Sequence, residues 1–468
     1  MKRVPHISTL FFLGLLLPLL SSCKKEFQND NFVAYFGGEV TNPNNRFVLF
    51  CKNNEVIDTI HLNKDNTFFK KFDSLAPGLY TFKHEPEYQY VYFDKNDSIM
   101  VHVNSKDFDE SVVFCGRGDE KNNFLMEMYL KNEKDKDFLF EAFDYDLDQF
   151  NKIIDSVHKK NEQFYTKKKE NVKWSDEFDV FAKASYLYTH YTKKEIYPMI
   201  HNMRTGKDVY EKLPKSYYSY RESIDFNNVA LADYSPFVMY LNHMLNNVST
   251  IKYHNHFTEV DLALKTNINK LNVADTLIKN SVVKNKILNN IAFQYLLEDQ
   301  NVVNNQEFLK IYHKYSTDKS QKNEINKIGD AIQQLLVGKE LPSVELIDAN
   351  GKKYNSDDLI TKNTVIFFWT ENANSHMISA HKKISDFMKK YPNYQYLAIN
   401  LDKDEDWKKS LTKNNFKDIK EFRCVDFEDI KAKWAITKIH RTIVVNSDKS
   451  IKNAFTNIFD VKFEENLR

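Results

Sequence analysis

Apolar positions along the chain fall into three successive rhythms. From Phe32 to Cys115 they come in short β-forming runs: Arg46-Phe47-Val48-Leu49-Phe50-Cys51, Val56-Ile57-Asp58-Thr59-Ile60, Leu79-Tyr80-Thr81-Phe82-Lys83, Gln89-Tyr90-Val91-Tyr92-Phe93 and Ile99-Met100-Val101-His102-Val103. Turn residues such as Asn53-Asn54, Pro77-Gly78 and Lys95-Asn96-Asp97-Ser98 part them. Runs of this length with such punctuation predict a small antiparallel β-sandwich. The rhythm then becomes helical, with Phe143, Leu147, Phe150, Ile154 and Val157 stepping by 4, 3, 4 and 3 along one stripe. Ser235-Pro236 reads as an N-cap with proline in the first turn, and Phe237, Tyr240, Leu241 and Met244 continue that helix. Last comes Val365-Ile366-Phe367-Phe368-Trp369, a continuous apolar run of the kind buried inside an α/β sheet. Around it the pattern predicts helices over 374–390, 404–413 and 427–434 and strands over 394–400, 421–424 and 442–446. The expected fold class is multi-domain α+β: a sandwich over 32–118, a largely helical region over 119–335 and an α/β domain over 336–468.

Glycine usage sharpens the middle boundary. Between Gly118 and Gly329 only Gly206 occurs, with Pro198, Pro214 and Pro236. A long strand-rich segment would need many turns with positive φ, so this stretch must be largely helical. Hydrophobic residues at 42%, with 36 Phe and 26 Tyr, rule out a disordered chain. The balance of 66 Lys+Arg against 65 Asp+Glu offers no field to attract a phosphate backbone, and nucleic acid is excluded as an expected partner.

The beginning of the chain reads as an address. Lys2 and Arg3 precede an apolar stretch from Ile7 to Leu20, which is too short to span a bilayer comfortably, and then Leu20-Ser21-Ser22-Cys23. That run resembles a bacterial lipobox, which implies a signal peptide over 1–22, acylation of Cys23 and a polar tether over 23–31. The expected location is the cell envelope, lipid-anchored to a bacterial membrane, and the tether's charges leave the periplasmic and outward-facing leaflets both open.

Through Gly338-Lys339-Glu340-Leu341-Pro342, the hairpin ending at Gly351-Lys352 and Phe367-Phe368-Trp369, the C-terminal region resembles the thioredoxin-like domains of TlpA type. Gly338-Lys339-Glu340-Leu341-Pro342 with Leu346, Asp348 and Gly351-Lys352 matches that family's opening strand and hairpin, and Phe367-Phe368-Trp369 matches the strand before its active site. More loosely, the N-terminal block resembles the β-sandwich domain of unknown function that precedes such domains in envelope lipoproteins, through Gly78-Leu79-Tyr80, the Asp97-Ser98 hairpin and the run from Phe114-Cys115-Gly116 to Asn122-Asn123-Phe124. The family's chemistry rests on a Cys-x-x-Cys pair three residues after the Phe-Trp. Here Ala373 stands at the first cysteine position and His376 at the second. Thiol–disulfide exchange needs an attacking and a resolving sulfur, and neither is present. At the register of the family's cis-proline stands His440, where a trans bond and a reshaped loop are expected because a cis bond before a non-proline residue costs about 2.5–4 kcal/mol.

The resemblance therefore implies the fold without the reaction. No catalytic residue is assigned, no cofactor and no metal. The expected function is a redox-inactive binding or assembly module, with TlpA-type thiol–disulfide oxidoreductase as the alternative, so that a non-enzyme and an enzyme reading both stand at this point. Trp369, Asn372, Asn374, His376, His440 and Arg441 form the candidate binding face, expected to be a surface patch, and the expected partner is another envelope protein or peptide. His376 and His440 should lie together, with Glu371 nearby as a conceivable third metal ligand, whereas His381, about 140° further round its helix, should face elsewhere. His254 and His256 lack a third ligand in sequence, and Arg117-Gly118-Asp119 reads as a loop closing the β domain. Cys424 reads as a buried small apolar residue, and pairing of Cys51 with Cys115 is left open.

Overall fold

A computed structural model of the chain describes residues 32–468 except 54, 85–86, 254–260, 299–300, 403–406, 415, 417–418 and 437–438. The expected signal peptide, Cys23 and the expected tether, like His254 and His256, lie outside the described residues.

The short runs of the first third become β1 (Ala34–Thr41), β2 (Phe47–Lys52), β3 (Glu55–His61), β4 (Thr67–Phe72), β5 (Gly78–His84), β6 (Glu87–Phe93), β7 (Ser98–Asn104), the one-turn α1 (Phe108–Ser111) and β8 (Val113–Arg117). They form two sheets, β4-β1-β7-β8 and β3-β2-β5-β6. Phe36 of the first sheet meets Phe50, Phe82 and Phe93 of the second at centroid distances of 5.3, 5.7 and 6.0 Å, so aromatic edges and faces interlock across the core. One pair departs from the antiparallel expectation: β1 runs parallel to β7. The chain crosses to the second sheet for β5 and β6 before returning, and so long a crossover frees β7 from the direction a hairpin would impose.

The sandwich is joined to the helical region by α2 (Asp119–Lys134). Its N-cap Gly118 has φ 97°, and a Cβ there would stand 2.5 Å from the Asp97 carboxylate, so no other residue fits. Asn122 exchanges hydrogen bonds with the Tyr92 backbone of β6 (2.6 and 2.9 Å), and Asn123 does the same with Phe114 of β8 (2.9 and 2.8 Å). Two successive amides thus substitute for a strand at one edge of each sheet.

The middle comprises α3 (Lys136–Glu141), α4 (Leu147–Val172), α5 (Asp176–Thr205), α6 (Ser235–Lys252), α7 (Leu262–Leu277), α8 (Ser281–Glu298), α9 (Val302–Tyr315) and α10 (Lys319–Gln334). Two expectations are corrected in detail. Phe143 lies in a separate 3-10 turn, because Asp146 caps α4 by accepting from the Gln149 N–H at 3.0 Å; it still packs with Phe150, Ile154 and Tyr197. Ser235 does not cap α6 with its side chain; its own N–H donates to the Tyr90 hydroxyl of the sandwich at 2.9 Å.

The α/β pattern of the last third forms β9 (Glu345–Ile347), β10 (Lys353–Asn355), α11 (Ser356–Leu359), β11 (Thr364–Trp369), α12 (Asn374–Lys390), β12 (Gln395–Asn400), α13 (Trp407–Asn414), β13 (Lys420–Cys424), α14 (Phe427–Trp434), β14 (Thr442–Val445) and β15 (Ile451–Thr456). The sheet order is β10-β9-β13-β12-β11-β14-β15. All six residues of β11 are buried, parallel to β12 on one side and antiparallel to β14 on the other. One face of the sheet packs Val365, Phe367 and Trp369 against Met377, Ala380, Ile384 and Phe387 of α12. The opposite face places Ile366 and Phe368 with Trp434 of α14 and Ile332 of α10, in a core continuous with the helical region as far as Tyr92 of the sandwich. Among the described residues no helix is long and apolar enough to cross a membrane.

Candidate functional site

In this fold the end of β11 leads through a 3-10 turn, Glu371–Ala373, into α12. The turn is held from β12: the Asp402 carboxylate accepts from the Glu371 N–H at 2.9 Å, from the Asn400 amide at 2.7 Å and from the Thr370 hydroxyl. Asp402 therefore anchors the segment that in the resembled family presents two sulfurs. Ala373, half-buried, is the N-cap of α12, and His376 lies in the helix's first turn. Asn372 and Asn374 belong to the same segment by backbone, and their side chains lie outside what is described.

Of the six residues expected on one surface patch, the four whose side chains are described separate into three environments. Trp369 is fully buried, and its indole N–H donates to Glu421 at 3.0 Å. Arg441 is also buried, at 7% exposure, with Nε donating to the Ala454 carbonyl and Nη1 to the Ala435 carbonyl, both at 2.7 Å. The expectation that they are surface residues is corrected for both. Each adjoins a strand buried on both faces, and a long side chain there has only interior to occupy. His376 is half-buried, with Phe459 edge-on at 5.8 Å and both ring nitrogens shielded and without hydrogen-bond partners. Its pKa is lowered, first by burial and then by the charges of His440 and His381, so the ring is neutral at neutral pH. His440 itself is exposed, in the turn before β14.

His440 and Arg441 line a cavity of about 480 Å³ together with Leu297 of α8, Phe455 and Thr456 of β15, and the polar segment from Asn457 to Asn466. This cavity, not a flat patch, is the concave feature that His440 and Arg441 share. Sequence reading gave no hint of it, because Leu297 belongs to the helical region and approaches only in the assembled fold.

A second constellation that sequence reading missed lies beneath α12. His381, 2% exposed, places Nε2 3.0 Å from Glu421 Oε1 and Nδ1 2.7 Å from the Met377 carbonyl, and its ring stacks on Phe416 at 3.6 Å. A carbonyl only accepts, so Nδ1 carries a proton. Nε2 and the Glu421 carboxyl then share one proton, and Trp369 donates to the other carboxyl oxygen. Burial raises the Glu421 pKa, against the opposing pull of His381 and Trp369. The signal was available: His381 interrupts the apolar stripe Met377, Ala380, Ile384 and Phe387, and Glu421 lies in a strand of a sheet covered on both faces.

Among the described residues no group of three His, Cys, Asp or Glu side chains is arranged to hold a metal. Glu371 turns instead to the Ser410 hydroxyl. Cys424 is 2% exposed and packs in the core shared with the helical region, where burial pushes its thiol up to about 11. No disulfide joins Cys51 and Cys115: Cys51 is buried on β2, and Cys115 is exposed on β8 of the other sheet.

Residues 361–451 match the model of a family described as thioredoxin-like. Among solved structures, the C-terminal region is similar to a provisionally assigned thiol–disulfide oxidoreductase from Bacteroides vulgatus, at 23% identity over 28% of this chain and 94% of that one, with a TM-score of 0.26. It is also similar to a domain of a possible thiol–disulfide isomerase from Cytophaga hutchinsonii, at 24% identity over 26% and 86% of the two chains and a TM-score of 0.25. A third is the thioredoxin domain of a thiol–disulfide oxidoreductase from Bacteroides vulgatus, at 20% identity over 25% and 86%, with a TM-score of 0.22. A search of curated proteins finds no match.

Proposed function

We propose that this chain, which carries a thioredoxin-like domain at its C-terminus, is a lipid-anchored envelope protein in which that domain binds another chain and no longer exchanges disulfides. The observation that carries this reading is the residue pair at the family's sulfur positions: Ala373 caps α12 and His376 follows it one turn in, while the thiol of Cys424 lies buried on the far side of the sheet with its pKa raised. A thiolate at pH 7 is thereby disfavoured at the one cysteine of the domain, and no second thiol stands near to resolve a mixed disulfide. What remains beside α12 is a cavity with an exposed imidazole at His440 and a buried guanidinium at Arg441.

In an insulin-reduction assay with dithiothreitol, the purified chain gives the uncatalysed rate. Acceleration that disappears in Cys424→Ser would overturn the binding reading. With the chain from Gly338 onward retained in the intact protein, pull-down from envelope extracts recovers a partner that His440→Ala recovers poorly; equal recovery would remove the old active-site face from the account. The anchor rests on the lipobox-like run ending at Cys23. Cys23→Ser releases the protein from membranes or blocks its processing, and unchanged retention with unchanged mature mass would refute it.

A further inference from the structure

The cavity beside β14 holds a cation that the described residues leave without a counter-ion. Two of the three nitrogens of the Arg441 guanidinium are taken by the Ala454 and Ala435 carbonyls, and Phe455 lies flat against it, 3.9 Å from guanidinium carbon to ring centroid. The third, Nη2, is buried and has no hydrogen-bond partner. No carboxylate pairs with this group among the described residues, and burial alone brings its pKa down to about 9. Buried charges in proteins are ordinarily paired or hydrogen-bonded on every donor, because the interior solvates them poorly. Backbone carbonyls supply part of that solvation here and fix the plane of the fork, which is the preorganisation a bidentate or single-point anion site requires.

The rest of the lining narrows the anion. Asn453, Thr456, Asn457 and Asn466 are neutral donors and acceptors, Phe455 and Leu297 are apolar, and at the rim Lys462 is offset by Asp460 and Glu465, both exposed. A polyanion such as a nucleotide would meet two carboxylates at the mouth. A single carboxylate on an otherwise uncharged or cationic molecule brings one negative charge, which Arg441 and Lys462 offset against those two, and the cavity's volume of about 480 Å³ accommodates a few residues of peptide or one small organic acid.

We infer that this cavity binds one carboxylate group, held by Arg441 with His440 at its mouth, and this inference rests on reading the adjoining face as a binding face. The carboxylate belongs either to the C-terminal end of a peptide or to a free small acid.

The test is a ligand-detected NMR titration of the purified full chain with N-acetyl-alanyl-alanine, its C-terminal amide, acetate and inorganic phosphate. The free acid binds and the amide binds about tenfold more weakly or worse, the loss expected when a charge-assisted hydrogen bond is removed. Arg441→Gln weakens the acid by a similar factor and leaves the amide unchanged. Should that variant fail to fold, since Arg441 ties two backbone carbonyls, Lys462→Glu decides: it adds a charge to the exposed rim and weakens the acid several-fold while leaving the amide unchanged. Acetate competing as well as the dipeptide assigns the site to a free acid, and a strong preference for the dipeptide assigns it to a chain end. Equal binding of acid and amide, tighter binding of phosphate, or no binding of any probe would overturn the inference. Partner recovery in the pull-down, insensitive to which of these occurs, still decides the broader reading by itself.

Discussion

Two arginines, a half-buried one in the helical region and a buried one in the C-terminal domain, are built alike on one side and differently on the other. Arg221 and Arg441 each lie 3.9 Å from the centre of an aromatic ring, Tyr218 and Phe455 respectively. Arg221 meets Glu195 as a fork: its Nε donates to Oε1 at 2.8 Å and its Nη2 to Oε2. The same carboxylate accepts from the Tyr220 hydroxyl at 2.8 Å and the Asn247 amide at 2.7 Å, so its lone pairs are filled. Burial works against the charge of Arg221, but the hydrogen bond and charge of Glu195 outweigh it and hold its pKa above the ordinary value. Around Arg441 burial acts alone, and the pKa falls. The same chain thus completes one guanidinium where the structure is purely supportive, and leaves another open beside the cavity that His440 and Arg441 line. That contrast is what separates a tie between helices from a group poised for a ligand.

The contrast can be broken most severely at Glu195. Glu195→Gln removes the buried counter-charge of the half-buried Arg221 and should cost about 2–3 kcal/mol in urea unfolding, below the range for a fully buried pair because the guanidinium keeps some access to water; a loss comparable to an average surface substitution would mean that the fork is not structural. A buried imidazole in the same region should behave nearly as strongly under acid. His190, stacked on His158 at 4.3 Å, is brought down to about 2 by burial first and then by the charges of His158, Lys194 and Lys193. With the folded value below the unfolded one near 6.5, its contribution to stability is present above pH 6.5 and is lost as pH falls toward the folded value. The Asp155 carboxylate, 3.5 Å from His190 Nε2, offsets part of this, so relative to His190→Phe the parent should lose about 2 kcal/mol between pH 7 and pH 4. Parallel stability curves for the two proteins would refute this. The shift at His376 has the same sign, so His376→Phe should narrow the same acid window by a smaller amount.

Smaller effects sharpen the comparison inside the C-terminal domain. Arg441→Met removes two hydrogen bonds to carbonyls but also an uncompensated buried cation, so chemical denaturation should show a loss of about 1–2 kcal/mol, less than that of Glu195→Gln. A larger loss than at Glu195 would make Arg441 the more structural of the two. Glu421→Gln should cost less than about 1 kcal/mol, because an amide can accept from Trp369 and donate to His381. Glu421→Leu, which orphans both partners, should cost more, about 2 kcal/mol by the same measurement.

Much of the architecture was legible before any coordinates. The run Val365–Trp369 is a central strand because five successive apolar side chains suit only a strand covered on both faces. The glycine-poor middle is helical because there are too few residues able to turn a sheet back on itself. The register that sets Ala373 and His376 at the start of α12 followed from the strand before it. Local patterns of this kind are carried by neighbours in the chain, and so they can be read along it.

What the amino-acid sequence determined by itself, then, is the succession of sandwich, helices and α/β domain, and the absence of cysteine from the segment between β11 and α12, where Ala373 and His376 stand. Only the tertiary structure decided the use of the polar groups that survive there. Trp369 and Arg441 look from their neighbours like members of a surface patch, yet one donates to Glu421, 52 residues away, and the other to Ala454, 13 residues away, both in the interior. His381 acquires its meaning from Glu421 on β13, and the cavity beside Arg441 acquires a wall from Leu297 in another region of the chain. The physical reason is that burial and pairing of charge depend on which distant elements close over a group, and the free energy of a buried charge is set by those elements and not by its neighbours in sequence.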